Sequence, residues 1–178
     1  MPAASARIDE LTFPMIPTAP LAELTELYER HNEAVFRAAL RVTGNPADAE
    51  DVLQTVFLRV LARREDVEDV DDAVLTAAYF RRAAVNAAVD VLRRRELRAA
   101  SVYDDEAPHA ASQPPLLLKE QLRRAIAALD SEDASLFLLR HVEGLSNEEL
   151  AAMFKLEKNN VAVRLHRIRH RLQAEMER

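Results

Sequence analysis

Apolar positions recur at the helical period through most of the chain from about Leu21 onward, and no two-residue alternation is sustained anywhere. The spacing predicts a first helix from Leu21 to about Val42, with Leu24, Leu27, Tyr28, Val35, Phe36 and Ala39 facing inward. Gly44-Asn45-Pro46 ends it and opens the next. Asn45 can cap, Pro46 suits the first helical position, and Asp48 stands where a capping-box acid belongs. Ala49, Val52, Leu53, Val56, Phe57, Val60 and Leu61 then follow the i, i+3, i+4, i+7 spacing of a buried face. The reverse face carries Asp48, Asp51, Thr55, Leu58 and Arg59, with Glu50 and Gln54 near the boundary. An acidic loop is expected from Glu65 to Asp72, followed by a long helix over about Ala73 to Arg98. In that helix Val85, Val89 and Leu92 form an inner stripe with Ala78, and Tyr79, Ala83, Asn86, Asp90 and Arg94 line up outside.

The sharpest local pattern runs from Leu145 to Leu172. Ser146 can cap a short helix, Glu149 three residues later completes a capping box, and Leu150, Met153 and Phe154 supply its buried side. After a tight turn, Val161, Leu165, Ile168 and Leu172 mark one apolar stripe, opposite Asn159, Val163, His166, Arg167 and His170. Ala162 and Arg169 flank that outer face on one side, Arg164 and Arg171 on the other. Two short helices in this arrangement are the pattern of a helix-turn-helix, whose second helix enters the major groove. There Arg and Asn side chains reach phosphates and base edges.

These elements predict an all-α fold with two small helical domains on a flexible linker. Residues 1–20, spaced by Pro14, Pro17 and Pro20, are expected to be a disordered extension. Residues 21–98 form the first domain, 99–115 with the Pro114-Pro115 pair the linker, and 116–178 the second.

Composition narrows the chemistry. The 178 residues contain no Cys, which excludes disulfides and thiolate metal sites and fits a reducing cytoplasm. Residues at the N-terminus carry acids and prolines where a signal peptide needs an apolar stretch, and no run is long enough to span a bilayer. The two glycines, Gly44 and Gly144, stand at expected helix breaks, so no Gly-rich phosphate loop exists. Net charge is −6, but bases gather in 81–98 and 158–171 and acids in 48–72 and 104–106. Local patches, not the total, govern contact with DNA. His166 and His170 lie one turn apart without a third ligand, so neither a metal nor a cofactor is expected. No nucleophile motif accompanies His31, His109 or His141, and the chain is read as non-enzymatic.

Asp48-Ala49-Glu50-Asp51-Val52-Leu53-Gln54 followed by Phe57-Leu58-Arg59 resembles the region-two motif of extracytoplasmic-function (ECF) sigma factors. The stretch Tyr79 to Arg95 is similar to their helix that engages the promoter −10 element, and Leu129 to Leu172 to their region four, which binds the −35 element. The resemblance covers nearly everything from residue 21 onward and implies a region-two-like bundle and a region-four-like helix-turn-helix domain. It implies a subunit that binds bacterial RNA polymerase core and directs it to particular promoters. Asp48, Glu50, Asp51, Gln54, Leu58 and Arg59 would grip the clamp coiled coil of the largest subunit. Tyr79, Arg82, Asn86, Asp90, Arg93 and Arg94 would engage the −10 element. Lys158, Asn159, Asn160, Ala162, Val163, Arg164, His166, Arg167 and His170 would face the −35 element. Members of the group are often held by an anti-sigma factor, in compact arrangements that hide both DNA surfaces.

The chain departs from the family pattern at several positions. Thr55 replaces a usual acid, Tyr79 a frequent Trp, and Lys155 the usual turn Gly, a substitution costing roughly 1 kcal/mol in a left-handed backbone. Ala162 and Val163 stand where Lys or Arg and Ser are common. Two other functions fit the residues: a stand-alone helix-turn-helix regulator that dimerises on operator DNA, and a helical adaptor that has lost promoter activity.

Overall fold

The computed structural model describes residues 18–66, 76–102 and 114–177. Its elements are helices α1 (Thr18–Thr43), α2 (Pro46–Asp66), α3 (Ala77–Val102), α4 (Pro114–Ala127), α5 (Ser131–His141), α6 (Asn147–Phe154) and α7 (Lys158–Met176), with no strand among the described residues. Residues 1–17 of the extension predicted over 1–20, most of the acidic loop and most of the linker lie outside those residues, while 18–20 belong to α1. Where the structure does reach, helix ends differ from those the pattern predicts, and α3 is shifted, with Thr76 outside it and Ala77 its first residue. α2 continues through Asp66, α3 through Val102, and α1 begins at Thr18.

The turn between α1 and α2 is built by side chains on both sides of Gly44. Thr43 Oγ1 donates to the Ala39 carbonyl at 3.0 Å, and Asn45 Oδ1 accepts the Ala47 amide at 2.8 Å. Gly44 takes φ +68°, where a side chain is strained, and its amide closes on the Leu40 carbonyl. Asp48 does not complete a capping box there, because its carboxylate pairs with Arg95 of α3 instead.

Helices α1, α2 and α3 pack pairwise around Leu27, Val35, Ala38, Ala39, Val52, Val56, Phe57, Val60, Val85 and Val89, all buried. An aromatic stack threads this core. Phe80 lies between His31, at a centroid distance of 4.3 Å, and Phe57, at 5.4 Å. The expected core positions Leu24, Phe36, Leu53 and Leu61 are only half-buried. Tyr28 is 43% exposed and lies edge-on to Phe57, and Ala78 is exposed.

α3 is buried on more than its predicted stripe. Ala84, Ala87, Ala88 and Val91 are covered as well, because α4 and α5 pack on the side opposite α1 and α2. The C-terminal helices thus sit directly on the N-terminal bundle. Arg41 of α1 forks onto Glu143 with donor distances of 2.7 to 3.0 Å, and Arg123 of α4 donates to the Val42 carbonyl at 3.2 Å. A Cβ on Gly44 would run into the Arg123 guanidinium, so this glycine serves both the turn and the docking.

Candidate nucleic-acid and partner interfaces

α2 presents Glu50, Asp51, Gln54, Leu58 and Arg59 to solvent, and Leu58 is 63% exposed. An exposed leucine among carboxylates combines apolar area with negative charge, the chemistry that suits a cationic helical partner. Asp48 is set apart from this ridge. It is half-buried and paired with Arg95, which also donates to the Thr43 carbonyl at 3.3 Å. Arg59 reaches Asp90 of α3 at 3.6 Å, so the far end of the ridge leans on the helix carrying the −10 candidates.

The outer face of α3 is largely occupied. Arg82 donates to the Met153 carbonyl at 2.7 Å, and its guanidinium lies 4.3 Å from the Phe154 ring centroid. Asn86 meets the Ser135 hydroxyl. Arg93 makes three bonds to the C-terminal helices, to Ser131 Oγ at 2.5 Å and to the carbonyls of Leu129 at 2.6 Å and Ala127 at 3.2 Å. Hydrogen bonds from a charged donor contribute about 1.5–3 kcal/mol each. Tyr79 is half-buried, and Arg94 is exposed, donating to the Asp90 carbonyl one turn back. Arg82, Asn86 and Arg93, expected to meet DNA, are therefore engaged by the C-terminal helices, whereas Arg94 is not.

The helix-turn-helix has its predicted caps. The Ser146 hydroxyl oxygen accepts from the Glu149 amide, and the Glu149 carboxylate accepts from the Ser146 amide at 2.7 Å. That backbone bond, with the Ser146 hydroxyl, holds the Glu149 carboxyl below the usual glutamate value. Lys155 takes the left-handed backbone that its position requires, φ +53°, and the Leu156 amide closes the turn on the Ala151 carbonyl at 2.9 Å. Val161, Leu165, Ile168 and Leu172 are all buried.

On the outer side of α7, Asn159, Asn160, Ala162, Val163, His166, Arg167 and His170 are exposed. His166 and His170 approach through their Nε2 atoms at 3.1 Å, and Lys158 pairs with Glu148 of α6. Arg164 departs from this group. It turns onto the start of α5, where Asp133 accepts from its Nε at 2.5 Å and Glu132 from its Nη1 at 3.0 Å. Burial opposes its charge, but those two acceptors hold the guanidinium firmly protonated. Burial raises the Asp133 carboxyl, and the neighbouring Asp130 adds to that rise. Asp130 goes the opposite way: burial pushes it up, and the Asp133 amide that it caps pulls it down further.

Sequence reasoning overlooked two features of these surfaces, the Asp48–Arg95 pair and the acids at the start of α5. The second had a signal. Arg164 and Arg171 stand seven residues apart, which puts both on one helical face opposite an Asp-x-Glu-Asp run.

Fold and surfaces together define a helix-turn-helix protein whose second module is carried by a three-helix bundle. Residues 27–98 match the family model described as Sigma-70 region 2, and residues 119–172 match Sigma-70, region 4. An RNA polymerase sigma-E factor of Streptomyces coelicolor is 31% identical over 155 residues, covering 86% of each chain. Its counterpart in Streptomyces avermitilis is 31% identical over 163 residues, covering 87% of this chain and 86% of that one. The solved structure of CnrH in complex with the cytosolic domain of CnrY shares the fold, with a TM-score of 0.50 at 21% identity over 88% of this chain and 89% of that one. The chain belongs to the extracytoplasmic-function group of RNA polymerase sigma factors.

No described helix is long and apolar enough to cross a membrane.

Proposed function

We propose that the α2 ridge of Glu50, Asp51, Gln54, Leu58 and Arg59 docks this chain on the clamp coiled coil of bacterial RNA polymerase. In that assembly α3 engages the promoter −10 element through Tyr79, Arg82, Asn86, Asp90, Arg93 and Arg94, and α7 lies in the major groove of the −35 element. Asp48 supports the ridge from behind by fixing α2 to α3 through Arg95. The chain works in the cytoplasm beside the polymerase and adds no bond-making chemistry of its own; phosphodiester synthesis belongs to the core enzyme. An anti-sigma factor is a further partner of this reading.

The observation that carries the reading is the capped helix-turn-helix with an exposed polar face on α7, held in one molecule with an acidic, leucine-bearing α2. A stand-alone operator-binding regulator has no use for the second surface. Bending the docked form open is part of the cycle, because Arg82, Asn86 and Arg93 bond to the C-terminal helices in this state.

In vitro transcription with purified core polymerase tests the proposal. Start-site selection is expected from core plus the wild-type chain. Asp51→Arg, at an exposed position on α2, is expected to lower core affinity at least tenfold while the melting temperature stays put. Wild-type affinity in a folded Asp51→Arg protein would remove α2 as the docking face. Operator-like DNA binding without any core association would point to the regulator instead.

A further inference from the structure

Two arginines of the recognition helix face acids of their own chain. Arg164 contacts Asp133 at 2.5 Å, Glu132 at 3.0 Å and Asp130 at 3.7 Å, and Arg171 contacts Asp133 at 3.3 Å and Asp130 at 3.9 Å. Three carboxylates thus surround two guanidiniums. Asp133 is the hinge of the arrangement. It is buried, its two oxygens serve different arginines, and its amide is fixed by the Asp130 cap.

We propose that Asp133, with Asp130 and Glu132, is a specificity-setting element of the −35 helix, withholding Arg164 and Arg171 from DNA phosphates. The inference rests on the reading of α7 as a groove-binding helix. It goes further by dividing the helix's cations into readers and withheld groups.

The geometry favours this division over an ordinary surface ion pair. A cleft of about 500 Å³ opens beside the clamp, lined by Asp133, Asn160, Val163, Arg164, Arg167 and Arg171. On its outer lip stand Asn160, Val163 and Arg167, all exposed. Val163 is 49% exposed, an apolar contact suited to a thymine methyl, and Asn160 can pair with a base edge. Every phosphate contact adds sequence-blind affinity and salt dependence of about −0.9 in log–log slope. Pairing two cations with carboxylates of the same chain therefore removes non-specific attraction and leaves the groove-reading groups in place. The remaining cation on the lip, Arg167, supplies electrostatic attraction without dominating it. Repulsion adds to the effect. The surplus carboxylate faces any backbone phosphate that approaches Arg164, so the guanidinium cannot serve both partners at once.

The test uses the full chain and a fluorescein-labelled 20-base-pair duplex of random sequence, titrated across a range of salt concentrations. Asp133→Asn is expected to tighten binding at low salt about tenfold and to steepen the log–log salt slope by about two. Adding Arg164→Gln should remove about half of that steepening, and adding Arg171→Gln as well should remove the rest. Selection from a randomised duplex library should give a weaker consensus with Asp133→Asn than with wild type. Because Asp133 is buried, the double variant Asp130→Asn with Glu132→Gln provides a second arm that keeps a side-chain cap on α5. It should steepen the slope in the same direction by about one. A folded Asp133→Asn or double variant with the wild-type slope overturns the proposal, as does a steepening that survives loss of both arginines. Arg167→Ala keeps the two levels apart. If it leaves duplex affinity unchanged, α7 is not the DNA helix at all. If it weakens affinity while the Asp133 variants do nothing, only the withholding idea fails.

Discussion

At the residue scale, two side chains hold positions their chemistry does not favour. Lys155 lies in the left-handed region at φ +53°, a backbone that glycine adopts without the Cβ clash. Lys155→Gly is expected to stabilise the fold by about 1 kcal/mol, read as a higher denaturation midpoint. A lower midpoint would mean that the lysine side chain contributes more than the strain costs. The position was legible in the sequence because Lys155 follows an amphipathic run and precedes the apolar stripe of the next helix. His31 was not legible. It reads as one polar residue in a helical pattern, yet it is buried and stacked on Phe80. Burial lowers its pKa below the usual 6.5, and the neighbouring Arg30 lowers it further. Above the unfolded value both states are neutral and nothing is lost. As pH falls through it, the unfolded chain takes up a proton that the folded one resists, so stability declines. His31→Leu should shrink the drop in melting temperature between about pH 7.5 and about pH 5.5. An unchanged drop would assign it to other groups, His141 among them, whose pKa is also lowered by burial.

Helix ends decide the element scale. The box of Ser146 and Glu149 satisfies one backbone amide of α6 and that of its N-cap residue, at the start of an eight-residue helix too short to persist unaided. Ser146→Ala should cost about 1 kcal/mol in a denaturant titration, and Ser146→Asn much less, since Asn caps equally well. Equal losses in both variants would place the cost elsewhere than in the cap. Such boundaries are readable from sequence because capping is local, spanning three residues. The stripe of α7 was readable for a related reason: four large aliphatic residues at helical spacing leave one choice of inward face. α3 defeated that logic. Its second buried side is made largely of alanines, Ala84, Ala87 and Ala88, whose weak hydropathy does not distinguish burial from exposure.

For the whole molecule, the pairs that join the two halves link residues far apart in the chain, Arg41 with Glu143 and Arg93 with Leu129. No periodicity announces such contacts, and each arginine alone reads as a solvated charge. This is why Arg82, Asn86 and Arg93 looked outward in the sequence and bond to the C-terminal helices in the structure. Replacing Arg123 and Glu143 together with Ala removes the bond to Val42 and the fork from Arg41 without touching α3. The double variant should show a larger radius of gyration by small-angle scattering and stronger binding to single-stranded −10 DNA. An unchanged radius with unchanged binding would mean that the docking persists on α3's own contacts.

The acceptors that hold Arg82 and Arg93 include the main-chain carbonyls of Met153, Ala127 and Leu129. Any amino acid supplies a carbonyl. Substitutions accumulating along the C-terminal half can therefore retune which genes are chosen while the latch itself survives, since its acceptors are drawn by the path of the chain and not by its side chains.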